Sequence, residues 1–198
     1  MRSGLLDVPR FAPANPGKRL LTAADLAVLP TSLPSGDVRY ELDNGSLVVM
    51  APPGDGHARR QAKIARYLDT EAEERGLGEV RAEVTVVLRR DPDRVVGADA
   101  AFLLSASLPP RLSKEGYLET IPEIVVEIRS KNDSMNEVLA KKNDYLAAGV
   151  KLVWVLDQDD RTVTAHEPEK PAQVFHATDM LMTSLLPGFT VPVAKLFA

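Results

Sequence analysis

The sequence predicts an α/β chain of the α+β kind, a mixed β-sheet flanked by helices, and three observations carry that reading. PEIVVEIRS (122–130) and VKLVWVLDQ (150–158) are short β-branched apolar runs of the buried-strand kind, and the stretch between them, NDSMNEVLAKKNDYLAAG (132–149), has helical spacing. Strand, helix and strand joined by short links make a βαβ-like crossover. Hairpin signals stand on both sides of this unit, and the composition, 44% apolar and 26% charged, is that of a globular chain.

Taken in order, residues 1–19 carry Pro9, Pro13 and Pro16 without any period and are expected to be a loose arm, with a single domain over 20–198. In LTAADLAVLP, Thr22 is an N-cap before a short helix that stops near Pro30. RYELDNGSLVVM (39–50) alternates on both sides of Asp43-Asn44-Gly45, a hairpin pattern. HARRQAKIARYLDTEAEERGLG (57–78) predicts a helix ending at Gly76 or Gly78, with Ala58, Ala62, Ala65, Leu68 and Ala72 as its apolar face. EVRAEVTVVLRR and VVGADAAFLL form strands on either side of the Asp91-Pro92-Asp93 turn and are expected to pair. The crossover helix has Asx and Ser caps, ends at Gly149, and places Met135, Val138, Leu139, Tyr145 and Leu146 at helical spacing. RTVTAHEP pairs back on the last strand of the crossover, and one or two short strands with a Pro-punctuated tail complete the chain.

The chain has no cysteine, which removes disulfide frameworks, thiolate zinc sites and cysteine nucleophiles, and fits a reducing, cytoplasmic setting. No apolar run approaches the length of a membrane span or a signal peptide. With 28 acidic and 24 basic side chains the net charge is −4, so a nucleic-acid partner has to be met by a local site.

Two acids stand inside otherwise apolar strands: Asp99 in VVGADAAFLL and Glu127 in IVVEIRS. Burying a carboxylate costs several kcal/mol unless it is paired or holds a cation. Alternation puts Ile124, Val126 and Ile128 on one face and Val125, Glu127 and Arg129 on the other. One reading is therefore a plain Glu127–Arg129 ion pair on a solvated face. The other adds the following helix, where Glu137, Lys141 and Tyr145 recur at i, i+4 and i+8. Two strand carboxylates and a lysine converging at strand ends suit an oxygen-ligated Mg²⁺.

Taken together, RYELDNGSLVVM, HARRQAKIARYL, GADAAFL, IPEIVVEIRS and KKNDYLAAGVKLVWVLD resemble the Uma2-like (DUF820) endonucleases, a branch of the PD-(D/E)XK restriction-endonuclease-like superfamily, over about residues 20–193. The resemblance implies an αβββαβ core in which Asp99 and Glu127, with a strand carbonyl, ligate Mg²⁺ or Mn²⁺. It implies that the superfamily's catalytic lysine has moved to the helix as Lys141, where it orients or helps deprotonate a water, and that Glu41 and Glu137 are auxiliary, while His57 either contacts phosphate or water at the helix N-terminus or is a capping or packing histidine. Two positions depart from the pattern. Ala98 replaces the usual proline, and Arg129 occupies the older lysine position, where it supplies charge but cannot act as a base, or else neutralises Glu127.

The implied activity is metal-dependent phosphodiester hydrolysis of nucleic acid, DNA ahead of RNA, with a homodimer as a further expectation because a double-strand cutter commonly needs two sites. The rival is a catalytically weak binding or regulatory module on the same fold, motivated by Arg129, Ala98 and the negative net charge. A glycosidase with paired acids is weaker still, since Lys141 and 5% aromatics do not make a sugar platform. Arg59, Lys63 and Arg66 form a basic stripe on the helix after His57 that either tracks a phosphate backbone or is simply solvated. His166 and His176 lack ligand spacing, and Trp154 reads as core.

Overall fold

A computed structural model describes residues 19–34, 36–50, 52–111, 113–129 and 133–198, so the arm expected at 1–19 lies, Arg19 apart, outside the described residues. Thr22 and Asp25 form a reciprocal capping box that starts helix α1 (Ala23–Ala27). Two-residue strands β1 (Ser32–Leu33) and β2 (Gly36–Asp37) pair with each other. The expected hairpin follows as β3 (Arg39–Asp43) and β4 (Ser46–Met50). Asn44 and Gly45 both have positive φ, 50° and 75°, as its two-residue turn demands.

Helix α2 (Asp55–Leu68) runs into a single π turn at Asp69–Glu73. Its buried face is Gln61, Ile64, Leu68 and Ala72, whereas Ala58 and Ala62 are exposed. The alanine face expected from the sequence is thus rotated. Ile64 decides the rotation, because its larger side chain removes more apolar surface from water than an alanine methyl.

Strands β5 (Gly78–Arg89) and β6 (Arg94–Leu104) make the long expected ladder, and β7 (Ile124–Arg129), α3 (Met135–Ala148) and β8 (Leu152–Asp157) make the crossover, with β7 and β8 parallel. Beyond them lie β9 (Thr162–His166), β10 (Gln173–Phe175), β11 (Met180–Met182), β12 (Thr190–Pro192) and α4 (Val193–Phe197), a tail with more regular structure than its prolines suggest. In the main sheet the order is β10-β9-β8-β7-β6-β3-β4, with β5 on the other edge of β6.

The two faces of the sheet carry separate cores. Ile124, Val126 and Ile128 pack with α2, α4 and Trp154, which stacks on Phe189 at 5.6 Å. Val125, Val153 and Val155 pack under Val138 and Tyr145 of α3. Met135 and Leu139, expected on the buried face of α3, are exposed. That helix turns its Val138–Tyr145 side to the sheet, and a third residue on the same side is the charged Lys141.

The arrangement of β6 positions everything that follows. On the edge away from β5, β3 meets it at Val95 and β7 meets it at Ala100–Phe102, so Val96–Asp99 lie in a fork between two diverging strands. Backbone groups there still need partners, and side chains supply them. Gly97 N–H donates to Glu41 Oε1 (3.0 Å), Gly97 C=O accepts from Lys141 Nζ (2.6 Å), and Asp99 C=O accepts from Gln61 Nε2 (3.0 Å).

Candidate active site

Four strand and helix elements deliver one charged side chain each into this fork: Glu41 from β3, Asp99 from β6, Glu127 from β7 and Lys141 from α3. Lys141 Nζ lies 3.1 Å from Glu41 Oε1 and 3.2 Å from Glu127 Oε2. Tyr145, one turn further along α3, donates its hydroxyl to Glu127 Oε1 at 2.6 Å. Asp99 Oδ2 accepts from Ile128 N–H at 2.7 Å, which ties it to the residue after Glu127, and faces His57 Nε2 at 3.1 Å. The side chains are recessed, with exposures of 10% (Glu41), 11% (His57), 12% (Glu127), 14% (Asp99) and 19% (Lys141).

Three carboxylates thus share one lysine in a partly dehydrated recess, and the protonation equilibria show the imbalance. Burial, reinforced by the charges of Asp99 and Glu41, pushes Glu127 up to about 7 against the pull of Lys141 and Tyr145. Burial alone would lower Lys141, but Glu127, Glu41 and Asp99 outweigh it and hold the ammonium firmly protonated. Burial likewise opposes the charged form of His57, and the hydrogen bond and charge of Asp99 reverse the sign and raise it. Among the described residues the buried Nδ1 atom of His57 has no hydrogen-bond partner.

The donor set fits a hard divalent cation. Its carboxylate oxygens are the ligands that Mg²⁺ and Mn²⁺ prefer, and the excess negative charge at Glu127 is what such a cation would offset. Among the described residues no three His, Asp or Glu side chains close into a metal cage. One or two carboxylates with retained waters is the usual way Mg²⁺ is held.

The remaining candidates fall into place around this centre. Arg129 does not pair with Glu127: it turns to Asp157, its register partner on β8, with Nη1–Oδ2 at 2.6 Å. The plain Glu127–Arg129 pair is therefore replaced by Lys141–Glu127, because the α3 lysine reaches the same recess and leaves Arg129 to the adjacent acid. Glu137 accepts from Ser134 N–H and Oγ–H at 3.0 Å, capping α3, and also borders a smaller cavity beside Glu127 and Arg129. Of the basic stripe, Lys63 donates to the carbonyls of Lys195 and Ala198, Arg66 lies 4.7 Å over the ring of Tyr67, and Arg59 is exposed. None of the three borders the recess.

Three contributors were not legible as site residues. Tyr145 shared a stripe with Glu137 and Lys141 in the sequence and was also counted among the apolar helix positions, but no role at the site was assigned to it. Gln61, a polar residue on the buried face of α2, holds the Asp99 carbonyl. Arg94 is buried on β6, donates to Leu42 C=O at 2.9 Å and Asp144 at 2.8 Å, and comes within 3.9 Å of Glu41.

A profile of the Uma2 family, described as "Putative restriction endonuclease", matches residues 25–194. The chain belongs to the Uma2 family. Among solved structures it is similar to a "putative nuclease belonging to DUF820" from Anabaena variabilis ATCC 29413, with a TM-score of 0.73 and 17% identity over 89% of this chain and 97% of that one. At that identity the likeness speaks for the fold, and it bears out the mixed β-sheet flanked by helices expected from the sequence. No curated protein matches the chain. No helix among the described residues is long and apolar enough to cross a membrane.

Proposed function

We propose that this Uma2-family protein is a Mg²⁺-dependent endonuclease that hydrolyses phosphodiester bonds of nucleic acid, DNA in preference to RNA. The observation that carries the reading is the convergence of Asp99, Glu127 and Lys141 in the β6 fork, with Glu41 as a further acid. The preference for DNA rests on the description of the family as restriction endonucleases.

Asp99 and Glu127 would hold the cation, with Mn²⁺ as the natural substitute. When bound, a divalent cation supplies Lewis acidity toward a phosphoryl oxygen and lowers the pKa of a bound water. Tyr145 fixes Glu127 through its hydroxyl, and Ile128 N–H and His57 fix Asp99. In the metal-free recess Glu127, Glu41 and Asp99 hold Lys141 in its protonated form, which donates to the attacking water. It orients that water or a phosphoryl oxygen by donating to it, and it offsets charge that develops on phosphorus. Arg129, committed to Asp157, does not compete for Glu127, which removes one of the arguments for an inactive binding module.

Plasmid and single-stranded DNA incubated with the protein should be cut in Mg²⁺ or Mn²⁺, and cutting should stop in excess EDTA and return when the metal is restored. Asp99→Asn and Glu127→Gln should abolish it. Cleavage that persists in EDTA, or in Asp99→Asn, contradicts the reading.

A further inference from the structure

A cleft of about 610 Å³ opens onto the recess, and its floor includes Glu41, Asp99 and Lys141. Its volume falls in the range of roughly 300–1,000 Å³ that encloses a ligand of drug size, which suits a nucleotide and not a double helix. The five site side chains are each less than a fifth exposed. A phosphate must descend into the cleft to reach them, and a backbone held rigid in a stacked, paired helix is poorly placed to do so.

The walls are not built for tracking a polyanion. Acids Glu41, Glu83, Asp99 and Asp133 border the cleft, and the basic side chains among its described lining residues are Arg39, His57 and Lys141. His57 and Lys141 already face carboxylates at the floor. What the walls do offer is flat and apolar surface. Tyr40 and Tyr117 both border the cleft, and both are half-buried, packed against the cluster formed by α1, Leu42, Val87 and Val95. Tyr40 is further fixed by its hydroxyl, which donates to Pro30 C=O at 2.7 Å. Rigid aromatic side chains of this kind stack unpaired bases.

Among the described lining residues one exposed cation remains for the flanking backbone. Arg39 Nη2 lies 2.8 Å from Glu83 Oε2, both of them 45% exposed. Glu83 stands opposite Asp99 in the β5–β6 ladder, and it is where the pairing lapses: Ala82↔Ala100 and Val84↔Ala98 are in register, while Glu83 itself has φ 52°. A left-handed backbone is unusual for a glutamate. Here it accompanies a carboxylate that occupies the guanidinium a phosphate would use.

Resting on the nuclease reading, we propose that the cleft receives an unpaired nucleotide, its base lodged against Tyr40 and Tyr117 and a flanking phosphate displacing Glu83 from Arg39. The substrate class is therefore single-stranded nucleic acid, or a duplex opened by mismatch or flap, in preference to fully paired duplex. Stacking supplies the affinity that the few cations do not.

The test measures binding and cutting separately. A short fluorescein-labelled oligonucleotide, its fully paired duplex, and the same duplex with a central mismatched bubble are titrated with the full chain in Ca²⁺ by anisotropy, then cleaved in Mg²⁺. The single strand and the bubble should bind and be cut at least about tenfold better than the paired duplex. Tyr117→Leu should weaken single-strand binding about five- to 150-fold while Tyr117→Phe retains it, which separates stacking from a merely structural role. Glu83→Gln should tighten binding, and Arg39→Ala should reduce the salt slope by about one single-strand phosphate contact, roughly 0.7. Metal-dependent cutting with equal preference for paired duplex overturns this inference while leaving the nuclease reading intact. Tyr117-dependent binding of single strands without cleavage in any metal supports the inference and overturns the nuclease reading. Absence of nucleic-acid binding overturns the inference.

Discussion

The shared charge at Glu127 makes the stability of the metal-free protein depend on pH in a direction that can be worked out. A carboxyl that titrates near 7 in the fold and near 4.5 when free keeps its proton in the native state where the unfolded chain has already lost it. Native protein then binds more protons than unfolded, so stability falls as pH rises between those two values. At 1.36 kcal/mol per tenfold in proton activity, moving from pH 5 to pH 8 removes about 2–3 kcal/mol through this one group. For a chain of this size that lowers Tm by about 5–10 °C.

Glu127→Gln is the matched control. Its amide oxygen can face Lys141 while its NH₂ donates to the Tyr145 hydroxyl, which in turn has Gly97 C=O at 3.3 Å to donate to. Thermal unfolding of both proteins in EDTA at pH 5 and pH 8 reads the difference, and titrations that Glu127 does not influence, such as that of Asp93, cancel. The wild-type protein should lose about 2–3 kcal/mol more than the variant over this interval, and Mg²⁺ should restore more of it at pH 8 than at pH 5. Equal pH dependence in the two proteins refutes the claim that Glu127 carries the excess charge.

Other expectations follow from the same geometry. Lys141→Ala should slow cleavage about 10²-fold or more and, because Lys141 is recessed between two acids and not clear of the packing, should also cost the metal-free fold about 3–5 kcal/mol in urea titrations. Arg129→Ala should slow cleavage much less, and Arg129→Leu should retain it, since Asp157 and not Glu127 is its partner; a lethal Arg129→Ala beside a neutral Lys141→Ala would reverse the assignment. Asp93 is buried and accepts from Ala23 N–H at 2.7 Å and Arg90 at 3.0 Å, so Asp93→Ala should cost about 1–3 kcal/mol. Burial works to raise the Asp93 carboxyl, but these hydrogen bonds hold it below its ordinary value. Its contribution should therefore be present above pH 4 and be lost as pH falls through the lowered folded value, which acid titration of unfolding checks against the variant.

Much of the fold was legible because its signals are local. Thr22 and Ser134 announce helix starts, Gly149 a helix end, Asn44-Gly45 a hairpin, and the β-branched runs around Glu127 and Trp154 a buried parallel pair. Helix faces were less so. The alanines of α2 and the Met135–Leu139 pair of α3 have the right spacing, but which side turns inward was decided by Ile64, Tyr145 and the two sides of the sheet, and that is tertiary information. The site divides the same way. Asp99, Glu127 and Lys141 stood out as charges out of place or as parts of a motif, whereas the direction of Arg129 depends on Asp157, 28 residues away. The fork in β6, which leaves Gly97 and Asp99 to be satisfied by Glu41, Lys141 and Gln61, has no counterpart in any local pattern.

The central claim is that Asp99 and Glu127 form a seat for a divalent cation, and isothermal titration calorimetry of Mg²⁺ and Mn²⁺ into the metal-free protein tests it without any assumed substrate. Wild-type protein should show saturable binding that is tighter at pH 8 than at pH 6, since the cation competes with the Glu127 proton, and Asp99→Asn should lose it while remaining folded. Absence of binding in the wild-type protein, or equal binding in Asp99→Asn, would contradict the account.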